Sequence, residues 1–202
     1  EAFEMKKTVI ARMVAACVVI PGFVQAGQPM QQVKETSERI LTILRDPGLA
    51  EGVRRQRIRN AVEGRFDWQA MARRSLGHHW RDLNEDQRAD YINEFSRLLK
   101  STYLAKVENY SGEDVAYRDE KQDGDYARVS VEIISDAGTT IPVRYRLKQT
   151  EEQWLAYDVV IEGVSLVSNY RSQFNSILSR SSFDELMRKI RQKVQTRDGT
   201  RQ

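Results

Sequence analysis

One cysteine and two histidines in 202 residues leave little from which to build redox or metal chemistry. The lone Cys17 excludes a disulfide scaffold and any cysteine-based zinc site. His78 and His79 are adjacent, and neighbouring residues on a helix point about 100° apart, so they do not converge on one ion. Four prolines exclude a proline-rich linker. Charge of one sign is also missing. Lys plus Arg number 32 against 29 Asp plus Glu, a net +3 that is too balanced to announce a nucleic-acid binder. No apolar run reaches the roughly 18 residues a membrane-spanning helix needs. No phosphate-binding glycine loop occurs. Gly163-Val164-Ser165 is not a nucleophile elbow, because Val167 stands where that motif needs its second glycine. With only His78 and His79 as bases, a serine triad is not expected. The acid pairs Glu151-Glu152 and Asp119-Glu120 read as solvated connectors rather than an acid/base couple. Neither a metal site nor a catalytic centre is expected.

What is present is a core-forming composition, 40% apolar and 30% charged. Met5-Lys6-Lys7 opens a basic segment, Met13 to Val24 is apolar apart from Pro21-Gly22, and Val24-Gln25-Ala26 places small residues where a signal peptidase reads. This three-part pattern predicts a secretory signal over residues 1–26, counting the four residues before Met5, with cleavage near Ala26. Cys17 does not read as a lipidation site, because the apolar stretch continues past it. The mature chain would contain no cysteine, so its stability must come from the core.

From residue 27 the period is helical, then alternating, then helical again. Pro29 and Pro47-Gly48 bracket a first helix, with Met30, Val33, Ile40, Leu41 and Leu44 on one face. A second helix over Leu49 to Glu63 carries Val53, Ile58, Ala61 and Val62 as its apolar stripe. Asp67 caps a short helix that Gly77 ends. Asn84 with Gln87 forms a capping box for the longest helix. Four strands follow: Glu113 to Asp119, Tyr126 to Ile134, one alternating around Ile141 to Lys148, and Trp154 to Ile161. Short connectors at Asp123-Gly124, Ala137-Gly138 and Thr150 to Glu152 make them antiparallel hairpins. In the fourth, alternation puts Leu155, Tyr157, Val159 and Ile161 on one face, and Asp158 on the other. The helical period returns with Val167, Tyr170, Phe174, Ile177 and Leu178. Ser182 and Glu185 cap a last helix, and a polar tail covers residues 196–202. This is an α+β order, one domain over residues 27–195.

Three stretches carry a family resemblance. The first is Phe66-Asp67-Trp68-Gln69-Ala70-Met71-Ala72 with Leu76-Gly77 and Trp80. The second runs from Tyr103 to Tyr110-Ser111-Gly112. The third reads WLAYDVVIEGVSL from Trp154 to Leu166, followed by Tyr170, Arg171 and Phe174. In order and spacing these resemble the MlaC, or toluene-tolerance auxiliary, family of periplasmic phospholipid-binding proteins. The resemblance implies a twisted four-stranded antiparallel sheet wrapped by N- and C-terminal helices around an apolar lipid pocket. It implies a periplasmic carrier, not an enzyme, with phospholipid as cargo and no cofactor. Its partners would be an outer-membrane lipoprotein–porin complex and an inner-membrane ABC transporter bearing an MCE-domain ring, with no nucleic acid; the role would be to keep the outer membrane's leaflets asymmetric. For the pocket, the alternation nominates Val143, Tyr145, Leu147, Tyr157, Val159 and Ile161, faced by Phe95, Leu99 and Tyr103 from the long helix, with Val164 and Leu166 at the mouth. Two further expectations stand beside this. A packed interaction module without ligand is the alternative. The eight arginines between Arg54 and Arg81, or the outer strand face with Arg144 and Arg146, would meet a partner.

Overall fold

The computed structural model describes residues 28–108, 114–135, 138–150 and 153–199. The expected signal peptide, Glu113, Ala137, Glu151-Glu152 and the last three residues of the tail lie outside them, as do Tyr110-Ser111-Gly112. Helix α1 spans Pro29–Leu44, with proline at its first position, where its missing N–H costs nothing. Helix α2 spans Glu51–Glu63 and α3 Trp68–Leu76. Asp67 caps α3 by accepting from the Ala70 N–H at 2.8 Å. A short 3₁₀ helix over Gly77–Asp82 follows, where only a helix stop was expected. Helix α4, Glu85–Glu108, opens with the full capping box: Gln87 N–H donates to Asn84 Oδ1 (2.8 Å), and Asn84 N–H donates to Gln87 Oε1 (3.0 Å).

The strands are β1 Asp114–Asp123, β2 Tyr126–Ile134, β3 Thr140–Gln149, β4 Trp154–Ile161 and β5 Val164–Ser165. They pair as an antiparallel meander in chain order. The sheet therefore has five strands, not four. β5 is too short to show alternation, and a two-residue turn joins it to β4. Glu162 (φ 50°) and Gly163 (φ 81°) both lie in the left-handed region, the signature of a tight primed hairpin turn. Helices α5, Leu166–Leu178, and α6, Phe183–Gly199, complete the fold. Helix α6 runs on into the segment expected as a polar tail.

The inner sheet face buries Ala127, Val129 and Val131 from β2, Val143 and Leu147 from β3, and Ala156 and Val159 from β4. Val33 of α1 and Leu166 of α5 pack onto the same cluster. A second cluster lies among the helices: Met71, Ala72 and Leu76 of α3 meet Tyr91, Phe95, Leu98 and Leu99 of α4, Tyr170 and Phe174 of α5, and Leu186 and Ile190 of α6. The aromatic rings interlock, with Tyr91 stacked on Phe95 at 5.6 Å and Tyr170 edge-on to Phe95 at 5.5 Å. Phe66 and Tyr103 touch both clusters. Val53 of α2, expected on a buried stripe, is exposed; the buried residues of that helix are Ile58, Ala61 and Val62.

A bulge in β4 changes its phase. Arg146 pairs with Asp158 but Leu147 pairs with Ala156, so Tyr157 is the extra residue. Before the bulge Trp154 and Ala156 are the buried positions, whereas strict alternation places Leu155 and Tyr157 inward. Tyr157 stands edge-on to the exposed Tyr126, with the Arg74 guanidinium 4.3 Å from its ring centre. The free edge of β4 is covered by the segment before α3. Ala156 N–H donates to Arg65 O, and Asp67 N–H donates to Ala156 O, both at 2.9 Å.

Candidate functional site

Between the helical cluster and the inner sheet face lies a cavity of about 430 Å³. Its size sits within the range of roughly 300–1,000 Å³ typical of ligand pockets. Ile133, Ile141, Val143, Tyr145, Val159 and Ile161 form the sheet wall. Phe66, Trp68 and Met71 of α3 and its approach, with Leu99, Lys100 and Tyr103 of α4, form the opposite wall. Ile40 and Val62 close one side, and Glu162, Val164, Leu166 and Asn169 lie at the β4–β5–α5 corner. Val164 is 55% exposed and Glu162 and Asn169 are also exposed, so this corner is where the cavity meets solvent. A neighbouring space of about 70 Å³ between α1 and β3 shares Ile40, Val62, Phe66 and Tyr145 with it.

Eight of the eleven residues nominated from the sequence line this cavity: Leu99, Tyr103, Val143, Tyr145, Val159, Ile161, Val164 and Leu166. Three do not. Phe95 is 0% exposed within the helical cluster, on the same stripe of α4 as Leu99 but one turn earlier, where Tyr170 and Phe174 of α5 cover it. Leu147 lines only the smaller space, because the sheet wall of the larger one ends at Tyr145. Tyr157 is displaced by the bulge. Two groups stand out among the lining residues that were not nominated, which also include Ile40, Val62, Lys100, Glu162 and Asn169. Ile133 and Ile141 lie on the same alternating faces already identified. Phe66, Trp68 and Met71 form part of the first resemblance stretch, but nothing in their spacing says that α3 turns them toward the sheet.

The wall is apolar with few polar groups, and the burial shows in its phenols. Tyr145 is pushed up from 10.0 to about 12 by burial, with the nearby Tyr117 adding slightly. Tyr145 lines both the cavity and the smaller space beside it. Tyr103 is raised by burial first and by Tyr170 next, against a lowering by Arg197. Both phenols stay neutral at ordinary pH. Lys100 is ion-paired to Glu63 of α2 at 2.6 Å and stands 4.9 Å from the centre of the Trp68 ring.

On the outer face Asp158 is buried and fully engaged. It accepts from Ser165 Oγ at 2.7 Å, the Val167 N–H at 3.1 Å and Arg146 Nη1 at 3.2 Å. This carboxylate fixes the N-terminus of α5, and with it the corner carrying Val164 and Leu166. It points away from the cavity, as the alternation indicated. Among the described residues no group of three or more His, Cys, Asp or Glu is arranged to hold a metal ion, and no helix is long and apolar enough to cross a membrane. His79 bonds to Asn175 at 3.1 Å, with the His78 ring against it.

The fold is thus a meander sheet and a helical layer with an apolar cavity between them that opens at the β4–β5–α5 corner. Residues 34–192 match the family model described as MlaC protein, and the chain belongs to that family. It is 21% identical over 204 residues to the intermembrane phospholipid transport system binding protein MlaC of Haemophilus influenzae, covering 94% of each chain. It is 24% identical over 105 residues to the toluene tolerance protein ttg2D of Pseudomonas putida, covering 52% of this chain and 49% of that one. Its fold is similar to the solved structure of a phospholipid-binding protein from Ralstonia solanacearum in complex with a phospholipid. That likeness has a TM-score of 0.74 at 22% identity and covers 85% of this chain and 99% of that one.

Proposed function

We propose that this protein is a non-enzymatic periplasmic carrier of phospholipid. It would exchange lipid with an outer-membrane lipoprotein–porin complex and an inner-membrane ABC transporter bearing an MCE-domain ring, and so help keep the outer membrane's leaflets asymmetric. The observation that carries the reading is the cavity of about 430 Å³ between two separately packed cores, walled by valine, isoleucine, leucine and aromatic side chains. A protein needing only a stable core would close that space, since interiors otherwise pack like organic crystals. The family membership and the names of the relatives point to phospholipid as the occupant.

The energetics explain why a carrier would work by contact. Each buried methylene contributes about 0.8 kcal/mol, so two chains of some 15 methylenes amount to roughly 24 kcal/mol. Release into water at that cost would be very slow, and handover requires a partner that accepts the chains directly. Exposed arginines on the outer sheet face, Arg128 and Arg144, are available for such a contact. The test is native mass spectrometry of protein purified from periplasm without detergent, followed by extraction and lipid identification. A mass excess matching phospholipid and lost on denaturation is expected. An apo mass that persists after incubation with phospholipid vesicles would overturn the reading.

A further inference from the structure

The surface shared by α3 and α5 holds two guanidinium groups that the fold fixes in place and leaves without an anion. From Trp68 to Arg81 and from Leu166 to Arg180 there is no Asp or Glu, in a chain whose 29 acids nearly match its 32 bases. The two stretches pack together. Leu76 of α3 shares a cluster with Tyr170 and Phe174 of α5, and His79 bonds to Asn175 across the junction. Arg73, Arg74, Arg81 and Arg171 are exposed there, and none has an ion pair among the described residues. Two of the four are held. The Arg74 guanidinium lies 4.3 Å from the centre of the Tyr157 ring, which Tyr126 supports edge-on at 5.9 Å. The Arg171 guanidinium rests on Gly77, where a Cβ would stand 2.9 Å from its Nε and 3.3 Å from its Cζ, so only glycine leaves room for it. Arg74 leaves α3 about one turn before the point where Arg171 rests. Asp158, the residue after Tyr157, does not supply the missing charge, because Arg146, Ser165 and the Val167 N–H already engage it.

We propose that this surface docks an acidic segment of a partner protein, with Arg74 and Arg171 each taking a carboxylate. A guanidinium held flat against a ring or a backbone keeps its edge N–H donors free, and these match a carboxylate two at a time. Being fixed in advance, it loses little conformational freedom on binding. The charge selects an anionic occupant, and its distribution selects a polypeptide over a bilayer. A bilayer responds to charge summed over a whole face within a Debye length of about 8–10 Å, and the molecule's net charge is only +3. Two fixed forks on one acid-free strip instead suit a chain that presents successive carboxylates. Ser168, Ser172 and Asn175, exposed on the same side of α5 as Arg171, add hydrogen-bonding groups without charge or bulk. Arg171 is two residues beyond Asn169, which lines the cavity mouth, and so points to the opposite side of α5. A segment docked there leaves the mouth open, and its binding does not depend on what fills the cavity.

The experiment titrates the isotope-labelled protein with a peptide of repeated Glu-Glu-Gly-Ser units and with its Gln-Gln-Gly-Ser counterpart. Salt is kept at about 0.15 M, where unspecific attraction is screened. NMR follows the Nε–H signals of the arginines and the Gly77 amide. The acidic peptide is expected to shift Arg74, Arg171 and Gly77 saturably, and the glutamine peptide to leave them in place. Arg74→Lys and Arg171→Lys keep the charge but lose the fork, and each is expected to weaken the acidic peptide about tenfold or more. Arg39→Lys, at an exposed position of α1, is expected to bind as the parent does. Equal shifts at Arg39, Arg128 and Arg144 overturn the proposal, as does the absence of any shift. So do Arg74→Lys and Arg171→Lys proteins that bind the peptide as tightly as the parent, since bulk charge would then explain the binding. A response of the same signals to phosphatidylglycerol vesicles but not to the acidic peptide also overturns it, and makes the surface a membrane face.

Discussion

Val143→Phe distinguishes a hollow interior from a packed one by the sign of its effect. Val143 is 5% exposed in the middle of β3, opposite Val131 on one side and Ile161 on the other, and it faces the cavity. The substitution adds the bulk of about four methylene groups. Buried at ~0.8 kcal/mol each they would contribute ~3 kcal/mol. Strain on the neighbours takes back about 1–3 kcal/mol. With about 430 Å³ of space in front of the residue, the ring has room and the strain falls at the low end. The delipidated variant should therefore match or exceed the parent by up to ~2 kcal/mol, about 2–4 °C in Tm for each kcal/mol. It should also carry less phospholipid, because the ring occupies the chain's place. Leu98→Phe is the control. Leu98 is buried in the helical cluster, away from the cavity, so the same kind of enlargement there should cost about 1–3 kcal/mol. Urea unfolding of both delipidated variants and native mass spectrometry of the loaded ones complete the assay. If Val143→Phe loses as much stability as Leu98→Phe and still holds lipid, the cavity argument is wrong.

Other outcomes follow from the same geometry. The Tyr145 phenol is held up to about 12 by burial, so the unfolded chain loses its proton first as pH rises from 10. Stability then falls across pH 10–12, by roughly 3 kcal/mol, and is flat in this respect below 10. Denaturant unfolding of parent and Tyr145→Phe should show the parent losing ground by that amount over this window. Asp158→Ala leaves the Val167 N–H buried without its acceptor and frees the start of α5. It should cost about 1–3 kcal/mol in urea unfolding, with little from the ion pair because Arg146 is half exposed. Lipid retention should fall with it, since Val164 and Leu166 hang on that corner. Gly77→Ala forces a side chain onto a φ of 60° beside the Arg171 guanidinium, and thermal unfolding should show a loss of about 1–3 kcal/mol.

The capping residues and the two periods were enough to place the elements. Asp67, Asn84 and Ser182 each sit where a helix begins, because a side-chain oxygen there satisfies otherwise unpaired backbone N–H groups. Alternation in β2 and β3 separates the faces without error, since both strands pair on both sides and have one buried face. The same rule fails in β4 because a period carries no record of an added residue. One bulge turns Tyr157 outward, under Arg74, while Val159 and Ile161 stay on the cavity side.

Phe95 illustrates the remaining difference. It shares a helical stripe with Leu99 and Tyr103, yet those two face the cavity and Phe95 faces α5. The apolar stripe of α4 is wide enough to serve two neighbours, and which residue meets which is settled by where α3, α5 and the sheet dock. Local chemistry, in caps, alternation and turn residues, is written in the chain order and needs no distant partner. The existence of a cavity is a different kind of fact. It depends on two cores, each complete in itself, failing to meet over the space between Leu99 and Val143, and no window of sequence contains both sides of that gap.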